Sequence, residues 1–268
     1  MKLADRMKVY ESQTTSQTLI PRLPIMVRLD GKKFSTFTKG LKRPFDERFS
    51  KLMIETTKFM VKETGANCGY TGSDEITLVF YNNSNNQSEM FYGGKIYKIE
   101  SDLAALCSVF FFSKLKEYLP EKEGIITRFD ARTWNVPNFN EVANSFLERE
   151  ISVTKNSISM VAETLYSHDD LEGKNQSDRQ EMLFQKGINW NDFPSYFKRG
   201  TYIQKKIKKG KLDIEDIENL PEKHEARRNP NMEIKRSVIV ELDLPILTSI
   251  ENKVDVLING KNFILKEI

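Results

Sequence analysis

Two stretches of helical periodicity, each set between short apolar runs, constrain this chain most. Ile25 to Leu29 is mostly apolar and ends at Asp30-Gly31, the pattern of a buried strand with a turn at its C-terminal end. Between 46 and 64, apolar residues recur at Phe49, Leu52, Met53, Phe59 and Met60. Spacings of three and four predict an amphipathic helix, and Gly65 stops it. Strand-like runs at 67–71 and 75–80 flank Gly72-Ser-Asp74 and predict a hairpin. A second helix is expected over 99–118, ended by Pro120, and a further strand over 124–130. The order strand, helix, strand, strand, helix, strand predicts an α+β fold of the ferredoxin-like βαββαβ type. Its helices would cover one face of a four-stranded antiparallel sheet.

Beyond Pro137 the pattern changes, which divides the chain into parts 1–135 and 136–268. The second part reads as mixed helical and β-hairpin: a long helix over 139–168, a short one over 180–186, a strand over 237–242 and apolar runs around Asn259-Gly260. Asn-Gly between such runs predicts a hairpin turn. The Asn- and Ser-rich stretch 81–89 reads as an exposed loop. No apolar run approaches the roughly 18 residues of a membrane span. The first eight residues are too charged for the apolar core of a signal peptide. Cys68 and Cys107 sit in apolar surroundings and are expected as reduced, buried thiols of a cytoplasmic protein.

The expected topology has a chemical consequence. The first strand and the central hairpin are neighbours, so Asp30 and Asp74-Glu75 meet at one end of the sheet. Clustered carboxylates repel unless a cation neutralises them, and hard oxygen ligands suit Mg²⁺. Two such ions would activate an attacking hydroxyl and neutralise a leaving pyrophosphate. Gly31 allows close backbone approach, and the amides of the Lys32–Phe34 turn are candidates for phosphate contact. Lys32, Lys33, Arg43, Lys95 and Lys98 are cations near these runs in sequence.

Three segments are similar to motifs of the tRNA-histidine guanylyltransferase superfamily: Arg28-Leu-Asp-Gly-Lys-Lys-Phe34, Gly69-Tyr-Thr-Gly-Ser-Asp-Glu75 and Phe129-Asp-Ala-Arg-Thr-Trp134. Gly173-Lys-Asn-Gln, 181–191 and Tyr196-Phe-Lys-Arg-Gly-Thr201 extend the resemblance to about residue 205. The resemblance implies a polymerase/cyclase palm and 3′–5′ nucleotide addition to tRNA 5′ ends, with two Mg²⁺ ions and ATP and GTP as substrates. It also implies a homotetramer. It implies that Asp30, Asp74 and the Gly31 carbonyl hold the ions with Glu75 in support. Ser73 and Arg43 then fall at the activating nucleotide, Lys95 and Lys98 at a second triphosphate, and Asn156 at a motif position of the long helix. The chain departs from the family in one segment. Enzymes dedicated to tRNA-histidine carry His-Ile-Asn-Asn where this chain has Thr154-Lys-Asn-Ser157. That version resembles the guanylyltransferase-like branch, which repairs truncated tRNA 5′ ends by templated addition. His168 and His224 lie outside it and are not expected to be catalytic.

The formal charge of +3 hides a local excess. Lys198, Arg199, Lys205, Lys206, Lys208, Lys209 and Lys211 follow one another with no acid between them. Such a run reads as a contact for the tRNA phosphate backbone, with Lys198, Arg199, Lys205 and Arg132 as candidates. Trp134 and Trp190 read as packing residues. Two alternatives stay open at this level: a nucleotide cyclase-like palm and a non-catalytic ferredoxin-like RNA-binding module. The second has no need for Asp30 and Asp74.

Overall fold

The computed structural model describes residues 1–81, 89–212, 217–229 and 231–267. One sheet organises them, with strands β1 (Ile25–Gly31), β2 (Cys68–Gly72), β3 (Glu75–Phe80), β4 (Phe129–Asn135), β5 (Thr201–Gly210) and β6 (Ile234–Leu242). The spatial order is β4-β1-β3-β2-β5-β6, and neighbours are antiparallel throughout. The first four strands have the ferredoxin-like order expected from the sequence. β5 and β6, from beyond residue 135, extend the same sheet past β2.

Helices α1 (Leu3–Thr15), α2 (Glu47–Thr64), α3 (Ile96–Tyr118), α4 (Phe139–Ala162), α5 (Gln176–Gln185), α6 (Ser195–Arg199) and α7 (Lys253–Asn259) complete the frame. α2 starts where Asp46 accepts the Arg48 amide and ends at Gly65, whose φ of 73° is a left-handed conformation suited to glycine. It buries Leu52, Met53, Met60 and Val61. Together with Leu103, Phe111 and Leu115 of α3 they pack on Ile25, Val27, Leu29, Ile76 and Leu78 of the sheet. Alternation along β1 forces its other residues, Met26, Arg28 and Asp30, onto the opposite face. There a second core joins Met26, Cys68, Tyr70 and Tyr202 to Phe146 of α4 and to Leu257 of α7. A third cluster packs the far end of α4 on α5 and α6 through Val161, Leu183 and Phe197.

Several expectations need correction. Asn259-Gly260 is not a hairpin turn: Asn259 ends α7, and Gly260, at φ 67°, is its left-handed cap. A type I′ turn and a helix C-terminus both demand positive φ, so the same pair of residues suits either. Residues 124–128 are not strand, and β4 begins only at Phe129. The long helix stops at Ala162, and His168 opens a separate short turn capped by Ser167. The lysine run is mostly strand β5, although lysine is a poor strand former. Residues 82–88 of the Asn- and Ser-rich stretch lie outside the described residues. Both cysteines are buried, and burial pushes both thiols up, Cys68 to about 12.

Candidate active site

Strand register writes the site as rows across the second face of the sheet. Asp30 lies opposite Glu75 on β3 and opposite Asp130 on β4. Two positions back along β1, Arg28 lies opposite Thr77 and Arg132. Two further back, Met26 lies opposite Val79 and Trp134. An acidic row thus borders a basic one. Cross-strand neighbours of like charge destabilise a sheet, and here two guanidiniums, Arg149 and Arg28, relieve that repulsion at Glu75. For Asp130 the sequence carries a single signal, its place in the Phe129–Trp134 segment, which β4 sets one strand from Asp30.

The hairpin turn brings Asp74 to the same end. Ser73 takes a left-handed φ of 56°, and its hydroxyl donates to Asp74 Oδ1 at 3.1 Å. The Gly31 amide donates to the Asp74 carbonyl at 3.1 Å, which fastens the end of β1 to the turn. A Cβ on Gly31 would lie 2.5 Å from the Phe34 ring, so only glycine fits. Burial raises the Asp74 carboxyl above its ordinary range, and the charge of Asp30 adds to that shift. A desolvated carboxylate facing another acid is the electrostatic setting that a divalent cation relieves. Among the described residues no group of three or more acids, histidines or cysteines closes into a complete cage. One or two carboxylates, Asp74 with Asp30 nearby, are a donor set of the size Mg²⁺ takes when water and substrate phosphates complete its shell.

Glu75 is engaged elsewhere. Its carboxylate accepts from Arg149 Nη1 of α4 at 3.1 Å and lies 4.0 Å from Arg28 Nε. Burial raises its carboxyl, and the two guanidiniums oppose that rise. Beside this pair a cleft of about 380 Å³ opens between the hairpin turn, α4 and the segment 34–50. Its lining includes Arg43, Ser73, Asp74, Val153, Asn156 and Met160. That volume is within the range of sites for nucleotide-sized ligands. The structure thus brings Arg43, Ser73, Asp74 and Asn156 to one cleft.

Other expected residues are placed differently. Phe34 is 2% exposed and belongs to an aromatic core with Phe37, Phe49, Phe111 and Phe129, although it also lines the cleft. The Lys32 amide donates to the Arg128 carbonyl at 2.7 Å and is taken up by the fold. The Lys32 and Lys33 side chains are exposed. Lys95 and Lys98 begin α3, where the Leu19 amide donates to the Gly94 carbonyl and the Ile96 amide to the Gln17 carbonyl. They stand beside the chain entering β1, whereas Asp30 is near its exit, about 17 Å along the strand from Ile25. Arg132 is exposed in the basic row. Lys198 sits 5.5 Å over the Trp190 ring and its ammonium donates to the Asn191 carbonyl. Trp190 donates to Ser157 Oγ at 3.1 Å, which is a packing role. Arg199 contacts Ser195 Oγ, and Lys205 lies exposed on β5.

The family described as Thg1: tRNAHis guanylyltransferase matches residues 4–137, half of the 268. The tRNA(His) guanylyltransferase of Saccharomyces cerevisiae is 27% identical over 213 residues, 72% of this chain and 86% of that protein. The solved structure of a bacterial tRNA(His) guanylyltransferase (Thg1)-like protein in complex with ATP is 37% identical with a TM-score of 0.72. The match covers 76% of this chain and 87% of that one. A bacterial Thg1-like protein in complex with GTP is 30% identical with a TM-score of 0.71, over 92% and 94% of the two chains. Fold, motif order and these likenesses agree: the chain belongs to the tRNA(His) guanylyltransferase family of nucleotidyltransferases.

Proposed function

We propose that this nucleotidyltransferase extends tRNA 5′ ends in the 3′–5′ direction, with template pairing choosing the nucleotide. The observation that carries the reading is the cleft: it opens directly onto Asp74, and Asp74 is fastened to the end of β1 that carries Asp30. In the first step a 5′-monophosphate attacks the α-phosphorus of ATP or GTP, pyrophosphate leaves, and the end is nucleotidylated. In the second the 3′-hydroxyl of an incoming nucleotide attacks the 5′ phosphorus and the nucleoside monophosphate leaves. An RNA with a 5′-triphosphate skips the first step and releases pyrophosphate in the second.

The cleft holds the activating nucleotide. Arg43 and Ser73 contact it from two walls and Asn156 from the third. Two Mg²⁺ ions, bound by Asp30, Asp74 and the Gly31 carbonyl, would neutralise the leaving group and ease deprotonation of the attacking hydroxyl. Glu75, held between Arg149 and Arg28, supports this end of the sheet rather than closing the cation site. Lys32 and Lys33 at the rim suit phosphate contact. Lys95 and Lys98, as the second-triphosphate pair, act from the other end of β1. Arg132, Arg199 and Lys205 face the tRNA backbone, and Lys198 supports Trp190. The Thr154–Ser157 segment favours repair of truncated ends over tRNA-His guanylylation. The working form is a cytoplasmic homotetramer, which sedimentation tests; among the described residues no helix is long and apolar enough to cross a membrane.

Incubation with 5′-truncated tRNA, labelled nucleotides and Mg²⁺ tests the reading. Extension is expected, and Asp30→Ala or Asp74→Ala should abolish it. Extension that survives both substitutions overturns the assignment.

A further inference from the structure

We propose that Arg149 is a positioning residue for the activation step, setting the wall of the cleft through its ion pair with Glu75. The proposal rests on the reading of that cleft as the seat of the activating nucleotide. Arg149, Val153, Asn156 and Met160 stand at i, i+4, i+7 and i+11 of α4, one stripe of the helix. The last three line the cleft, and the first reaches the hairpin. Two successive turns of the stripe are pinned there. Val153 packs so closely on Gly72 that a Cβ on that glycine would lie 2.5 Å from it. One turn earlier, Arg149 donates to Glu75 at 3.1 Å, with both side chains about four-fifths buried.

The two contacts differ in what they fix. Apolar packing under α4 is non-directional and sets its distance from the sheet. A charge-assisted guanidinium–carboxylate hydrogen bond is directional and, one turn from the Val153 contact, sets the angle at which the stripe leaves the hairpin. Arg149 also contacts Glu148 on its own helix, so its charge is already met by carboxylates on both sides. That makes it a fixed strut rather than a free phosphate ligand. Met160 lies about 16 Å along the helix from Arg149, so a tilt of about 4° moves the far wall by about 1 Å. Displacements of that size cost up to about 100-fold in rate. The larger consequence falls on activation, because the wall faces the activating nucleotide while an end that is already triphosphorylated needs none.

The test compares 5′-monophosphorylated and 5′-triphosphorylated forms of one truncated tRNA, with wild type, Arg149→Met and Arg149→Lys. Arg149→Met is expected to slow extension of the monophosphate about 10- to 100-fold and to raise the KM for ATP, while the triphosphate is slowed about tenfold less, the smaller loss being what the freed Glu75 passes to the acidic end that both steps share. Arg149→Lys keeps a charge without the planar fork and should fall between. Equal loss on both RNAs, or no loss on either, overturns the proposal. If Arg149→Met does not fold, Arg149→Lys carries the comparison, and absence of bias in it overturns the proposal equally. Wild type that extends neither RNA would remove the functional reading instead; wild type active on both with an unbiased Arg149 series removes only this inference.

Discussion

The sheet gathers like charge at more than one place, and it treats two of them in opposite ways. At the ends of β1 and β3, Asp30, Glu75 and Asp130 lie side by side, with Asp74 at the adjoining turn, and the fold partly buries them. At the other edge β5 and β6 stay paired as far as Gly210 and Ile234, while β2 accompanies β5 only to Gln204. The remainder is a two-stranded ribbon carrying Lys205, Lys206, Lys208 and Lys209, with Lys209 directly opposite Lys235. Desolvated charge is expensive and geometrically fixed, and so suits a reacting centre. Exposed charge is inexpensive, screened by salt and adaptable, and so suits a long polyanion. Under the proposed function, repulsion in the free protein would in both places be the counterpart of affinity for an opposite charge.

The largest test of that contrast is at Asp74. Asp74→Asn should lower nucleotide addition about 10³-fold or more, since in its proposed role as a metal ligand the carboxylate would command several kcal/mol of transition-state stabilisation. The same change should raise thermal stability at neutral pH when no divalent cation is added. The fold raises the Asp74 carboxyl, chiefly by burial, and so favours its protonated form. That contribution is whole below about pH 4, the ordinary carboxylate value, and is lost as pH rises through the folded value. The stability gain of the asparagine variant should therefore be present at pH 7 and vanish below about pH 4. Melting curves across that range check it. A variant that is less stable at neutral pH would mean that the carboxylate is structural.

How far each region was legible in the sequence follows the same division. β1, the hairpin and the two helices behind them have strong periods and clear stops at Asp30-Gly31 and Gly65, so the end that bears the acids could be placed by topology alone. The partner of Glu75 could not. Arg149 is 74 residues away, and only the packing of α4 on the hairpin brings it near. The ribbon was hidden for a local reason. Lys-rich segments have little strand propensity, and β5 is strand because β2 and β6 supply its hydrogen bonds. Residues 259–260 failed differently, since positive φ at a glycine serves a turn and a helix cap alike. The separation of Lys95 and Lys98 from Asp30 likewise needed the direction of α3, which periodicity does not give.

A smaller effect is expected at the ribbon. Replacing Lys208 and Lys209 by alanine should weaken tRNA binding roughly uniformly across sequences. The slope of log affinity against log salt should become shallower by about one for each phosphate that is no longer neutralised. Turnover at saturating RNA should hold, in contrast to Asp74→Asn. Filter binding over a salt series, paired with single-turnover rates, separates the two. A loss of turnover with unchanged affinity would place these lysines in the chemistry and dissolve the contrast.

The smallest effect asks whether the ribbon, like the acidic row, stores repulsion. Lys209→Glu turns the pair with Lys235 from like to opposite charge, and such cross-strand changes are worth about 0.2–1 kcal/mol. A two-stranded ribbon is marginal by itself, so a gain of that size should be visible locally. Hydrogen exchange of the amides at 205–210 should slow severalfold at low salt, while those of β1 and β3 are unchanged. The gain should shrink in high salt as the repulsion it relieves is screened. Binding to tRNA should fall at the same time, because the new carboxylate faces phosphate. A ribbon that is no better protected would mean that solvent already screens Lys209 from Lys235. Stored repulsion would then belong to the partly buried acids alone, where water screens less.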